Sequence, residues 1–445
     1  MTAAAPASQI AARKTGAAMT LDPDLAARLM DAVDAGFDEQ VAFTQALVRF
    51  PSTRGAEAPI QDFVHRALRD RFYAMDRFTM DRDALARHAG AGRISAEHSD
   101  APIVIGTHRP RRDTGRSLIL QAHVDVVPTG PAEMWRHPPF EPVIAEGWMH
   151  GRGAADMKAG HAANIFALDA LRRAGFQPAG TVHVESVVEE ESTGNGALMT
   201  HLRGYRADAA LIPEPQDERL VRANVGVLWF EIEVRGAPAH VRAMAEGANA
   251  IDAAYRIIAD LRGLEAEWNA RKGGHPHFAA EPHPINLNLG RIVGGDWASS
   301  VPSRCRLSCR ISLYPGTRAG DAAREIEARI AAFAATDPML AANPPRVSFN
   351  GFFAEGYVLE PGSAAEAALA DAHAAATGAP LGTMMTGAYL DARVHALYDR
   401  IPALCYGPVS RGIHGIDEAV DLASVRRVTK AIALFVAQWC GLEPG

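Results

Sequence analysis

Residues 117–125 read SLILQAHVD, and the first five of them decide the fold. They form a short apolar run bounded by polar residues, the pattern of a strand buried on both faces of an α/β sheet. Three further runs share it, at 181–188, 209–212 and 403–406. Between the first two runs, Ile165, Leu168 and Leu171 keep helical spacing, which predicts a helix over 156–174 that Gly175 ends. Helices are also expected over 24–50, stopped by Pro51, and over 58–72. Strand and helix alternate, so the expected fold class is α/β with a mainly parallel, twisted sheet.

The middle of the chain has another texture. Residues 228–235 alternate, with Phe230, Ile232 and Val234 set against Glu231, Glu233 and Arg235. A helical stretch follows with Ile251, Ala254, Ile258 and Leu261 on one face. Strand-like pieces at 285–292 and around Leu307, Cys309 and Ile311 come next. A second helix shows Ile326, Ile330 and Phe333, and a last strand spans 346–349. The order β-α-β-β-α-β is the ferredoxin-like split motif. Its strands are apolar on one side and polar on the other, so the sheet is expected to be covered on one face only. The expected organisation is a disordered tail over 1–23, a catalytic domain over 24–222 and 353–445, and an inserted lid or dimerisation domain over 223–352.

Composition narrows the class of protein. The 445 residues are 48% hydrophobic and 22% charged, as in an ordinary globular chain. The formal charge is -7 and no basic stripe stands out, which argues against a nucleic-acid partner. No apolar run approaches the roughly 20 residues of a membrane span. The first twenty residues lack an apolar core like that of a signal peptide. Cys305, Cys309, Cys405 and Cys440 form no disulfide framework. The cytoplasm is the expected compartment.

Residues able to bind metal gather where the strands end, which is where open α/β sheets hold their ligands. His123 and Asp125 follow the first strand. Asp156 lies in GRGAADMK at 151–158, where an N-cap is the plainer reading. Glu189, Glu190 and Glu191 end the second strand; they form either a solvated acidic turn or a cluster whose repulsion nearby cations relieve. Glu214 is held between Pro213 and Pro215. His414 follows the last strand. Nitrogen and oxygen donors together suit zinc, with cobalt or manganese as alternatives.

Six ordered motifs give these residues a family likeness: HVDVVPTG at 123–130, GRGAADMKAG at 151–160, VVEEESTGNG at 187–196, PEP at 213–215, GAPAH at 236–240 and HGIDEAVDL at 414–422. From about residue 37 to 440 the chain resembles the co-catalytic dinuclear zinc exopeptidases and deacylases. These include acetylornithine deacetylase, succinyl-diaminopimelate desuccinylase, aminoacylase and glutamate carboxypeptidase, and the acetylornithine deacetylase branch is nearest in texture. The resemblance implies two divalent ions bridged by Asp156. His123 and Glu214 complete one site, and Glu191 and His414 the other. It implies Glu190 as general base and Asp125 behind His123. It also implies His240 as a donor to the scissile carbonyl, supplied in dimeric relatives by the partner subunit. Arg310 and Arg393 are the candidates for holding a substrate carboxylate; the plainer alternative for Arg310 is a solvated sheet face shared with Arg304 and Arg306. The sequence departs from the family at Tyr389 and Leu390, where many relatives carry small residues.

The implied activity is hydrolysis of an amide bond in a small N-acyl amino acid. A dipeptidase or carboxypeptidase on the same scaffold is the alternative. A metal-binding scaffold without catalysis is disfavoured by Glu190 and His240, which such a protein does not need.

Overall fold

The computed structural model describes residues 21–71 and 73–445. In chain order, the strands of its two main sheets are Ala74–Phe78 (β1), Ile103–His108 (β2), Leu118–His123 (β3), Val182–Val187 (β4), Ala210–Ile212 (β5), Gly226–Arg235 (β6), Leu287–Gly294 (β7), Arg304–Leu313 (β8), Arg346–Ala354 (β9) and Ala403–Cys405 (β10). The principal helices are Pro23–Val48 (α1), Ala159–Arg173 (α2), Asn195–Arg203 (α3), Ala250–Ala270 (α4), Ala319–Thr336 (α5), Ala364–Thr377 (α6) and Leu422–Cys440 (α7).

The first sheet has the order β1-β2-β4-β3-β5-β10. Strands β4, β3, β5 and β10 run parallel, and β2 is antiparallel to both of its neighbours. Every residue of β2 and β3 is buried, which explains why β3 reads as a continuous apolar run rather than an alternating one. Helices α1, α2, α6 and α7 pack on one another in a layer against this sheet. The second sheet has the order β7-β8-β6-β9 and is antiparallel throughout. Helices α4 and α5 bury its apolar face. Its other face, carrying Trp229, Glu231, Ser308 and Arg310, lines a cavity of about 1380 Å³.

One expectation needs correction. The helix predicted over 156–174 begins only at Ala159. Asp156 and Met157 before it have non-helical dihedrals, in an irregular turn with a cis peptide bond between them. Asp156 is therefore not the N-cap of α2. The predicted tail over 1–23 lies mostly outside the described residues. Of the three that are described, Leu21 is buried, Asp22 accepts the N–H groups of Asp24 and Leu25 as an N-cap, and Pro23 is the first residue of α1.

Candidate metal centre

Each functional segment leaves the carboxyl end of a strand. His123 is the last residue of β3, Glu190 and Glu191 follow β4, Glu214 follows β5, and His414 lies on the loop after β10. A small sheet brings in Asp156. Strand Trp148–His150, just before the Gly151–Asp156 turn, pairs with Ala419–Asp421, just after His414.

The buried Arg152 and Glu418 tie these two loops together. Arg152 Nη1 donates to Glu418 Oε2 at 2.5 Å, and its Nη2 donates to the Gly415 carbonyl at 2.9 Å. The other Glu418 oxygen accepts the backbone N–H groups of Ala155 and Asp156, at 3.0 and 3.1 Å. Sequence reasoning missed this pair. Both residues fall inside quoted motifs, but nothing in a linear pattern joins positions 152 and 418. Removing one partner strands the other charge in the core, so Arg152→Leu is expected to cost about 3–5 kcal/mol of stability in a denaturant titration. An unchanged unfolding midpoint would contradict this role.

The side chains converge on Asp156. Its Oδ1 lies 3.2 Å from His123 Nε2, and its Oδ2 lies 3.3 Å from His414 Nε2. Glu214 Oε1 is 3.6 Å from His123 Nε2, and Glu191 Oε2 is 3.0 Å from His414 Nε2. Two triads able to hold an ion result, His123–Asp156–Glu214 and Asp156–Glu191–His414, and they share Asp156. A third grouping joins His123, Glu190 and Glu191. Glu190 Oε2 sits 3.9 Å from His123 Nε2.

The electrostatics show a cluster short of positive charge. Burial, Glu214, Asp391 and Glu191 lift Glu190 well above the usual carboxylate range against the pull of His123. Glu214 is lifted well above it too, by burial and by Asp156, Glu191 and Asp391. Burial also works against Asp156, but hydrogen bonds to His123 and His414 hold its carboxyl low. Glu214 Oε1 is buried with no hydrogen-bond partner. An orphaned carboxylate oxygen grouped with the His123 imidazole and the Asp156 carboxylate is a donor set that a divalent cation satisfies.

Asp125 shapes the cluster from behind. Its Oδ1 and Oδ2 accept the backbone N–H groups of Glu190 and Glu191, at 3.2 and 3.0 Å, fixing the turn that presents both glutamates. The nearest partner of His123 Nδ1 is the Asp125 carbonyl oxygen at 3.0 Å, with the carboxylate at 3.6 Å. Glu189 points away into a buried nest, where it accepts from Arg54 Nε, the Ser99 N–H and Thr193 Oγ1. The run of three glutamates is thus one structural residue followed by two that face the site.

Of the remaining candidates, Arg310 lines the cavity that holds this cluster, and His240 and Arg393 do not. His240 is exposed, with its Nδ1 accepting the Arg242 N–H, and it does not line the cavity. Arg393 is buried, and its guanidinium is spent on the carbonyls of Glu355 and Gly90 and on the Tyr398 hydroxyl. It is not among the residues that line the cavity. Arg310 does line the cavity. It donates to Ser312 Oγ and to the Gly387 carbonyl, each at 2.7 Å, and burial pulls it down to about 10. Among the described residues no carboxylate lies within ion-pair distance of it.

Comparison with known proteins fits this geometry. The description "peptidase family M20/M25/M40" matches residues 119–438. The chain belongs to that family. A relative, the N-formyl-4-amino-5-aminomethyl-2-methylpyrimidine deformylase of Halalkalibacterium halodurans, is 30% identical over 347 residues, covering 74% of this chain and 80% of the relative. The succinyl-diaminopimelate desuccinylase of Paracoccus denitrificans is 29% identical over 326 residues, covering 71% and 81%. Among solved structures, the dipeptidase Dug1p from Saccharomyces cerevisiae superposes with a TM-score of 0.74 at 15% identity, covering 93% of this chain and 98% of that one. At that identity the likeness shows the M20 fold alone.

Proposed function

We propose that this M20 chain hydrolyses the amide bond of a small N-acyl amino acid with two divalent ions, zinc in the first instance. His123, Asp156 and Glu214 would hold one ion, and Asp156, Glu191 and His414 the other. The observation that carries this reading is the Asp156 carboxylate, whose two oxygens each face a different histidine. Deformylase and desuccinylase relatives support hydrolysis of N-acyl groups over peptide cleavage.

When bound, such a pair of ions lowers the pKa of water and polarises the carbonyl. The rest falls to the protein. Glu190, buried beside His123, takes the proton from the attacking water and returns it to the departing nitrogen. Asp125 keeps Glu190 and Glu191 at their posts. Arg310, a cation without a counter-charge, binds the substrate carboxylate. Arg310→Ala is accordingly expected to raise KM about 10- to 100-fold with little change in kcat. An unchanged KM for a carboxylate-bearing substrate would remove Arg310 from binding.

We place the division of the chain at 223–352 for the lid, with the catalytic domain on either side. We also place the protein in the cytoplasm, supported by the buried free thiols of Cys305, Cys309 and Cys405; fractionation of its native cells tests this. Among the described residues no helix is long and apolar enough to cross a membrane. The edge strand β7 carries exposed Ile292 and Val293, and Trp297 beyond it is 72% exposed. That edge supports a homodimer through the lid, in which His240 of a second copy reaches the site. Sedimentation equilibrium returning the mass of one chain would overturn the dimer.

The overall reading is tested by a panel of N-acetyl, N-formyl and N-succinyl amino acids, with dipeptides alongside, assayed with zinc, cobalt and manganese. Turnover of N-acyl amino acids is expected. Turnover of dipeptides alone would favour the peptidase alternative, and no turnover with two ions bound would favour a scaffold.

A further inference from the structure

The cavity wall beside the metal-binding cluster carries three aromatic rings packed on one another. Trp229 on β6 meets Phe352 on β9 edge-on, with ring centroids 5.1 Å apart at 88°. Phe352 meets Tyr389 at 4.4 Å and 35°. All three line the cavity, and with Val227 and Ala354 they form an apolar cluster separate from both main cores.

The rings are fixed in place. Gly351 has φ of 65°, and a Cβ there would fall 2.4 Å from Trp229 Cε3. Gly194 has φ of 68°, and a Cβ there would fall 1.8 Å from the Tyr389 hydroxyl oxygen. Only glycine suits either position. The Tyr389 hydroxyl donates to Asp391 Oδ1 at 3.0 Å, which anchors the far end of the ring. Such rigidity is not needed to seal a core, and Trp229 is only partly buried. The wall is also continuous with the reacting groups, since Glu190, Glu191 and Glu214 line the same cavity.

We infer that the substrate is an N-acyl compound carrying a planar aromatic ring, which packs against the Trp229–Phe352–Tyr389 wall while its amide lies over the metal-binding cluster. This rests on the amide-hydrolase reading of the site and narrows it. A preformed set of tilted and edge-on rings favours a flat π-system over a saturated ring of the same size, because the quadrupoles of the rings interact beyond simple area burial. The ring can belong to the side chain of an amino acid, to an aromatic amine or to the acyl group; the chemistry recognised is the same.

Three matched pairs test this on the metal-loaded protein. They are N-acetylphenylalanine against N-acetylcyclohexylalanine, N-benzoylalanine against its cyclohexanecarbonyl analogue, and N-formyl-aminomethylpyridine against N-formyl-aminomethylcyclohexane. In at least one pair the aromatic member is expected to show about tenfold higher kcat/KM. That ratio should fall toward one in Trp229→Leu and persist in Trp229→Phe, which keeps a ring. Ratios near one in all three pairs would overturn the aromatic assignment and leave amide hydrolysis standing. A ratio that Trp229→Leu does not change would overturn it as well. If no amide is turned over, the functional reading fails, and calorimetry of phenylalanine against cyclohexylalanine still decides. Tighter binding of phenylalanine, lost in Trp229→Leu, supports the wall, and equal or absent binding of both overturns it.

Discussion

Asp156→Asn is expected to yield a folded protein that binds fewer than two ions per chain and has lost more than about 10³-fold in kcat. Each Asp156 oxygen faces a different imidazole, His123 at 3.2 Å and His414 at 3.3 Å. Asparagine keeps one oxygen and replaces the other with an NH₂ group, which cannot ligate a cation. One of the two triads therefore loses its shared donor. The remaining loss follows from the chemistry, because two ions stabilise several kcal/mol of developing charge that one ion stabilises less well. Elemental analysis alongside turnover checks this. A variant that keeps two ions and wild-type turnover would show that Asp156 does not bridge.

Glu190→Gln should separate chemistry from binding. Glutamine has nearly the same shape, and the backbone bond from residue 190 to Asp125 remains, so the turn and both metal-binding triads survive. The basic oxygen does not. At least about a 10²-fold loss in kcat is expected with metal content unchanged, since an amide cannot accept the proton of the attacking water. Steady-state kinetics with metal analysis decides it; undiminished kcat would move the base elsewhere.

Much of the fold was legible because burial leaves a linear trace. Strand β3 is enclosed on both faces and reads as an unbroken apolar run, whereas β6 is enclosed on one face and alternates. The order of helices and strands followed from those two periods. The start of α2 was misread because Asp156 sits in an irregular turn that Glu418 secures from 262 residues away. No local propensity encodes such a contact.

The site was legible to the extent that its donors end strands. His123, Glu190, Glu191, Glu214 and His414 all lie just past a carboxyl edge, so predicting the sheet brought them near one another. Residues placed by tertiary packing were not legible in this way. Arg393 looks like Arg310 in sequence, yet both guanidiniums donate to backbone carbonyls and only that of Arg310 lines the cavity. Trp229 shares a strand face with Glu231 and gave no sign of the ring wall it forms with Phe352 and Tyr389.

The central claim is that two ions share one carboxylate in this site. Metal-stripped protein titrated with zinc, with bound metal and turnover of an N-acyl amino acid followed together, tests it most directly. Two ions per chain are expected, with full turnover reached only as the second site fills. Saturation at one ion with full activity, or activity in protein that holds none, would contradict it.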